Sequence, residues 1–263
     1  MNTANVWLIT AKTNLHVGNE NTSSYGLIDK SVQRDTLSGL PCINGSSLKG
    51  ALNEFFAIAK NKDANFLKEV FGVDKKGRDL ETQKGSYAFF DAQLLSIPVQ
   101  SNNKLFYRAT TLAVLEKFIQ QLNIFGIKYP NIDLSAISPQ DNSPIVFSNE
   151  NTQLGDFNAV KGNKTAAIDE IEKLIGKDIA LFSENDFKEL CNDDNLPIIA
   201  RNKLDNGESK NLWYEQVIPQ ETIFYSLFLN TGNESIDKEL NNQIVQIGAN
   251  ATIGYGYCEL KKI

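Results

Sequence analysis

Histidine is almost absent and cysteine is sparse: the 263 residues carry one of the first and three of the second. A single His16 offers no basis for a metal site built on imidazoles. Cys42, Cys191 and Cys258 stand far apart and make no C-x-x-C pair, which argues against a disulfide framework and against a zinc cluster. No run of about eighteen apolar residues occurs, so no membrane-spanning helix is expected. Residues 1–5 lack the basic and apolar regions of a signal peptide, and the expected location is cytoplasmic, with no membrane partner. No internal repeat of about 20–50 residues is present, which sets solenoids aside.

Positive charge is also in deficit. Lys and Arg number 26 against 32 Asp and Glu, a net charge of -6. Neutralising phosphates draws on Lys and Arg, so the average composition argues against nucleic acid as a free partner. A groove, however, needs only local positive charge and backbone donors, and the acidic stretches 169–172 and 184–194 can lie on other faces. With 41% hydrophobic and 22% charged residues, the chain has an ordinary globular balance and enough apolar material for a sizeable core.

Hydrophobic spacing predicts strands and helices interspersed without the regular alternation of a doubly wound sheet, the pattern of an α+β fold. Residues 5–13 hold Val6, Leu8 and Ala11 among Trp7 and Ile9, a strand buried on both faces. A flexible loop is expected over 19–26. Leu48, Leu52, Phe55 and Ala59 recur at helical spacing, after Asn44-Gly45-Ser46-Ser47, whose side chains are expected to cap that helix. A second short helix is expected over 63–71 and a charged loop over 74–79. Strands are expected over 87–90 and 94–99, then a helix marked by Leu112, Leu115, Ile119 and Leu122. Residues 129–163, rich in Asn, Asp, Pro and Ser, read as an irregular insertion. Helices follow around Ile168 to Ile175 and from Ser183, with strands over 223–229, 243–247 and 257–260.

Two stretches carry chemistry. Gly45-Ser46-Ser47-Leu48-Lys49-Gly50 offers backbone N–H groups, hydroxyls and a lysine at a helix start, a combination able to cradle one phosphate. The alternative is that Ser46 or Ser47 only caps the helix and Lys49 is solvated. In the loop 248–257, Gly248, Gly254 and Gly256 permit close approach or positive φ, and Tyr255 can stack on a base. The alternative there is a plain turn between strands, and the spacing is not that of a dinucleotide fingerprint.

Leu15-His16-Val17-Gly18, then Gly26-Leu27-Ile28-Asp29-Lys30-Ser31-Val32-Gln33-Arg34-Asp35, then residues 39–50 resemble, in order and spacing, the N-terminal signature of backbone subunits of the RAMP superfamily of CRISPR proteins. Residues 91–99, Ala200-Arg201-Asn202-Lys203-Leu204-Asp205 through Asn211-Leu212-Trp213-Tyr214-Glu215, and the final glycine-rich loop resemble the Cmr-type member of type III-B complexes. Residues 129–163 carry none of the likeness.

The resemblance implies a single domain over 1–263: a ferredoxin-like, RRM-related palm with insertions and a β-hairpin thumb at about 196–219. It implies a repeated subunit whose partners are CRISPR guide RNA, complementary target RNA, further copies of itself and other Cmr complex subunits, and which cuts the target at regular intervals. Asp29 is the implied catalytic residue, either as base toward a ribose 2′-OH or as holder of Mg2+ or another divalent cation. Without the resemblance Asp29 reads as a turn residue. His16 is a candidate for proton transfer, with structure or guide binding as its alternative role. RNA binding is expected of Arg34, Gly45, Ser46, Ser47, Lys49, Gly50, Arg201, Lys203, Gly248, Gly254, Tyr255 and Gly256, and stacking in the thumb of Trp213 and Tyr214. Asp35 reads as an ion-pair partner of Arg34. A non-catalytic backbone subunit and a free-standing ribonuclease that trims guide precursors stay open as other readings.

The sequence departs from the family pattern in places. Ser31 stands where proline is usual, and Ala249 and Tyr255 where a glycine and a basic residue are common. Gln216 replaces a second acid, which implies that a supporting carboxylate near the thumb is missing. With its acidic balance, the chain is expected to gain RNA affinity from many copies acting along one guide. The isolated protein should therefore bind RNA weakly and with strong salt dependence in fluorescence anisotropy; tight binding by the monomer at physiological salt would contradict this.

Overall fold

The computed structural model describes residues 3–18, 28–73, 83–130, 132–148 and 151–263. The loops expected over 19–26 and 74–79 lie outside the described residues. The principal strands are β1 (Thr3–Ala11), β2 (Ala92–Gln100), β3 (Phe106–Thr111), β4 (Ile179–Phe182), β5 (Ile198–Asp205), β6 (Glu208–Gln216), β7 (Ile223–Asn230), β8 (Gln243–Gln246) and β9 (Tyr257–Lys262). Six α-helices occur among the described residues: α1 (Gly45–Ile58), α2 (Ala64–Phe71), α3 (Leu112–Ile124), α4 (Ala166–Ile175), α5 (Glu184–Leu190) and α6 (Asp237–Leu240).

Among the described residues one mixed sheet of 11 strands organises the molecule, with β4, β3, β2, β7, β1, β9 and β8 side by side in that order. The β4–β3 pair is parallel, whereas β3–β2, β2–β7, β7–β1, β1–β9 and β9–β8 are antiparallel. Alternation along β1 explains why its apolar run is unbroken. Val6 and Leu8 face a core shared with Leu115, Phe118 and Leu122 of α3 and Ile168 and Ile171 of α4. Trp7, Ile9 and Ala11 face the other core, with Leu48, Leu52 and Phe56 of α1, Val70 and Phe71 of α2 and Leu240 of α6. The strand is thus buried on both faces, as its composition predicts.

Local chemistry sets the helix ends. Asp63 caps α2 by accepting from the Phe66 N–H at 2.8 Å, and Ser183 caps α5 by accepting from Asp186 N–H at 3.1 Å. The capping expected of Ser46 or Ser47 is not realised. Asn44 occupies the N-cap position of α1 without a side-chain cap bond, and the first N–H, that of Gly45, donates to the Asp91 carboxylate at 2.6 Å. The buried stripe of α1 ends on Phe56 rather than Phe55, because the contact surface follows Leu48 and Leu52 at steps of four.

The region read as an irregular insertion is part of the main body. Ile145–Val146 pairs antiparallel with β4, and Val160–Lys161 pairs parallel with Ile145–Val146, so the segment extends the sheet at its edge. Ile132 and Leu134 add to the α3/α4 core.

Aromatic packing ties β1 to β7. Phe228 is fully buried, stacked on Trp7 at 5.4 Å between centroids and edge-on to Phe89 at 4.9 Å. Phe228→Ala is expected to cost about 3–5 kcal/mol, read as a lower urea midpoint with an unchanged slope.

Candidate nucleic-acid interface

β5 and β6 form a two-stranded hairpin outside the main sheet. Its turn is Asn206-Gly207, with φ of 51° and 86°. Paired positive φ values of this kind suit a two-residue turn that matches strand twist, which is why Asn-Gly is favoured there. Residues 205–212 are exposed, whereas the base of β6 is not: Glu215 and Gln216 are buried, and Trp213 and Tyr214 are half-buried.

The segment 28–34 lies along this base. The N–H groups of Asp29 and Lys30 both donate to the Tyr214 carbonyl at 3.1 Å, and the Gln216 N–H donates to the Lys30 carbonyl at 2.9 Å. The Asp29 carboxylate accepts the Tyr214 N–H through Oδ2 at 2.7 Å. Asp29 is exposed, and this bond ties one of its two carboxylate oxygens to the backbone of β6.

Glu215 is the hub beneath. The residue is 1% exposed, and its carboxylate accepts from Trp213 Nε1 at 2.8 Å and Lys30 Nζ at 3.0 Å on Oε1, and from Asn250 Nδ2 at 2.8 Å on Oε2. Arg201 Nε stands 3.8 Å from Oε2. Burial pushes this carboxyl up, but the hydrogen bonds from Trp213, Lys30 and Asn250 and the charge of Lys30 outweigh burial and hold it down at about 2. Glu215 is the carboxylate at this base, and Gln216, where a second acid is common, adds none. Gln216 has separate work: its Oε1 accepts the Val32 N–H at 3.1 Å and its Nε2 donates to Asp193 Oδ1 at 3.1 Å.

His16 sits under the hairpin base, 3% exposed, with Nδ1 2.7 Å from the Gln216 carbonyl oxygen. A carbonyl only accepts, so Nδ1 carries the proton. The glycine-rich loop closes the other side. Ala249 N–H donates to the His16 carbonyl at 2.9 Å, and Gly256 N–H to the Asn14 carbonyl at 2.8 Å. A Cβ at Gly248 would lie 2.4 Å from the His16 oxygen, and one at Gly256 would lie 2.1 Å from the Ile247 oxygen. The protein's own packing thus requires these two glycines. At Gly254 a Cβ would meet nothing within 4 Å, so that turn is open to an approaching strand. The Tyr255 ring lies 5.9 Å from the Arg201 guanidinium carbon, and Lys30 stands 5.3 Å from the Trp213 ring centre.

Gln33 links this cluster to the start of α1. Its Nε2 donates to the Gly18 carbonyl at 3.2 Å and to the Ser47 hydroxyl at 3.0 Å, and its Oε1 accepts the Asn44 N–H at 2.8 Å. Ser46 and Gly50 are exposed and Lys49 is half-buried, but Gly45 is a packing residue, since a Cβ there would lie 2.4 Å from the Phe89 oxygen. Lys203 is exposed further up the hairpin.

Arg34 does not pair with Asp35 as expected. Its guanidinium is engaged by Asp193 at 2.8 Å and by the carbonyls of Gly39 and Cys191 at 2.8 and 2.7 Å. Asp35 instead accepts from the Ser38 N–H and hydroxyl at 2.8 and 2.7 Å, closing a turn. Lys30, Gln33, Glu215 and Asn250 are the interface residues that sequence reasoning missed. All four fall inside or beside the motifs quoted above, but nothing in the order of residues marks them as partners.

Comparisons with known proteins bear on the family and the fold. The family model described as RAMP superfamily matches residues 8–259. The CRISPR system Cmr endoribonuclease Cmr4 of Pyrococcus furiosus is 28% identical over 263 residues, covering 89% of this chain and 88% of that protein. The crystal structure of oligomeric Cmr4 from the same organism superposes with a TM-score of 0.73 at 22% identity, covering 99% of each chain. A chain of the type III-B Cmr-beta complex bound to cognate target RNA gives a TM-score of 0.77 at 24% identity over 99% of this chain and 97% of that one.

The depressed carboxyl of Glu215 sets a pH dependence. A group held at about 2 when folded, against 4.5 ordinarily, adds stability that is complete above 4.5 and lost as pH falls toward 2. The stability gap between wild type and Glu215→Gln should therefore be widest above pH 4.5 and narrow between 4.5 and 2 in urea titrations.

Proposed function

The chain belongs to the RAMP superfamily, and on that premise we propose that it is the repeated backbone subunit of a type III-B CRISPR ribonucleoprotein, one that grips guide RNA and cuts paired target RNA at regular intervals. The observation that carries this reading is the Asp29 carboxylate, exposed and pinned to the base of a projecting hairpin by the Tyr214 N–H. The 28% identical Cmr endoribonuclease supports it. In this reading the sheet and its flanking helices form the ferredoxin-like, RRM-related palm and the β5–β6 hairpin is the thumb. Guide phosphates are met by Ser46, Ser47 and Lys49 at the start of α1 and by the open turn at Gly254, with Arg201, Lys203, Tyr214 and Tyr255 adding charge and stacking surface.

The chemistry assigned to Asp29 is activation of a ribose 2′-OH. Its Oδ2 is occupied by the Tyr214 N–H, which leaves the other oxygen for a bound strand. That oxygen takes the hydroxyl proton as the 2′-oxygen bonds to phosphorus; the bond from phosphorus to the 5′-oxygen breaks, and the leaving oxygen takes a proton from water. Among the described residues, no group of three His, Cys, Asp or Glu side chains could hold a metal ion, and Glu215 is saturated by its partners. A single outward carboxylate suits Mg2+, which keeps most of its water and binds phosphate oxygens. Asp29 would hold it, and the ion would supply charge neutralisation at the scissile phosphate.

His16 acts here as a positioning residue, since its buried ring holds the Gln216 carbonyl. That burial also counts against a free-standing guide-trimming enzyme with a histidine-centred site.

In the reconstituted complex, Asp29→Ala should lower single-turnover cutting of a labelled complementary RNA by at least about 10²-fold, with target binding retained. Unchanged products would move the chemistry to another residue, and no products from wild type would leave a structural backbone subunit.

A further inference from the structure

Beside Asp29, the buried charge network reaches the surface at Lys30. The Glu215 carboxylate carries one negative charge and faces two cations, Lys30 at 3.0 Å and Arg201 at 3.8 Å. Among these three groups one positive charge is in excess, with the Asp29 carboxylate, held by the same stretch of β6, as a fourth. The two cations differ in how they can spend it: the Arg201 side chain is 24% exposed and lies over Tyr255, whereas the Lys30 side chain is 50% exposed. An ammonium has three donors. One goes to Glu215 Oε1, the Trp213 ring bounds one side of the group at 5.3 Å, and the half-exposed remainder faces solvent.

Lys30 and Asp29 are held by the same short stretch of β6. Both backbone N–H groups donate to the Tyr214 carbonyl, and the Asp29 carboxylate accepts from the Tyr214 N–H. The Lys30 ammonium is anchored on the flanking residues Trp213 and Glu215. One segment of three residues thus anchors both groups, the Asp29 carboxylate through the Tyr214 backbone and the Lys30 ammonium through the Trp213 and Glu215 side chains.

We propose that Lys30 is a second catalytic residue, whose ammonium contacts a non-bridging oxygen of the scissile phosphate and stabilises the charge that gathers there as the 2′-oxygen attacks. A preorganised cation costs no reorientation at the moment of reaction, because Glu215 and Trp213 already hold it. Glu215 is the positioning residue that keeps it there. The inference rests on the cleavage reading given above and adds to it the group that receives the charge, Asp29 being the one that receives the proton.

The test uses the assembled ribonucleoprotein at saturating target, with a single phosphorothioate placed at one cut site as each of its two diastereomers. Lys30→Gln keeps a donor for Glu215 but no charge, and Lys30→Arg keeps the charge; both are compared with wild type and Asp29→Ala, and their unfolding midpoints are recorded. Lys30→Gln should slow cutting about 10²-fold with target binding unchanged, and Lys30→Arg should recover most of the rate. One diastereomer should slow the wild type clearly more than it slows Lys30→Gln, because the contact it weakens is already gone. Equal slowing of both proteins by both diastereomers, or a rate loss explained wholly by weaker target binding, would overturn the assignment while leaving Asp29 in place. A wild-type complex that does not cut at all would overturn the cleavage reading and this inference with it.

Discussion

The structure around the hairpin depends on satisfying one buried carboxylate. Leaving a charge of that kind unpaired in the interior costs several kcal/mol, and Glu215 escapes that cost through hydrogen bonds from Lys30, Trp213 and Asn250 and the nearby charge of Arg201. Lys30 and Glu215 are 185 positions apart in sequence. Satisfying this carboxylate brings the segment after the first strand, both strands of the hairpin and the final loop to one point. A functional surface made of long-range segments is thereby coupled to the stability of the fold.

The sheet supplies the rigidity that such an arrangement requires. β1 runs through its middle with apolar side chains packed on both faces, and the chain leaving β1 goes directly into Leu15 and His16. Leu15 exchanges backbone hydrogen bonds with Ile218 at 2.9 and 2.8 Å, just past the base of β6. The loop after β8 is brought equally close, since Gly248 and Gly256 have no Cβ to collide with the carbonyls of His16 and Ile247. Both glycines also take positive φ, 84° and 80°, so these two positions require close approach and the left-handed turn together.

Much of the fold was legible in the residue order because it is written in local patterns. The run from Val6 to Ala11 declared a strand with two buried faces, helices were expected from Asp63 and from Ser183, where both side chains prove to cap, and Leu115 and Leu122 lie on the stripe that α3 buries. The phosphate-cradle motif was legible as a helix start, but its first residue is there for packing: Gly45 gives its N–H to Asp91 and its missing Cβ to Phe89. Long-range polar pairing was not legible. Arg34 looks like a partner for the adjacent Asp35, yet neighbours in sequence seldom face one another, and it reaches Asp193 instead. Glu215 gave no local sign, because a hub is defined by what converges on it, and three of its four partners lie more than ten positions away in the chain.

The hairpin has one more consequence. At its base β6 also bridges to Lys30, whereas residues 205–212 are exposed, so the distal half has few packing obligations while the base is bound by many. Strand side chains alternate between faces with a period of two. An insertion of one residue near the base would turn Trp213 and Glu215 to opposite sides and dismantle the anchorage of both Asp29 and Lys30. Length can change only beyond that anchorage and in matched steps on both strands, so the arm can be lengthened or shortened by whole rungs, like a ladder fixed at its foot.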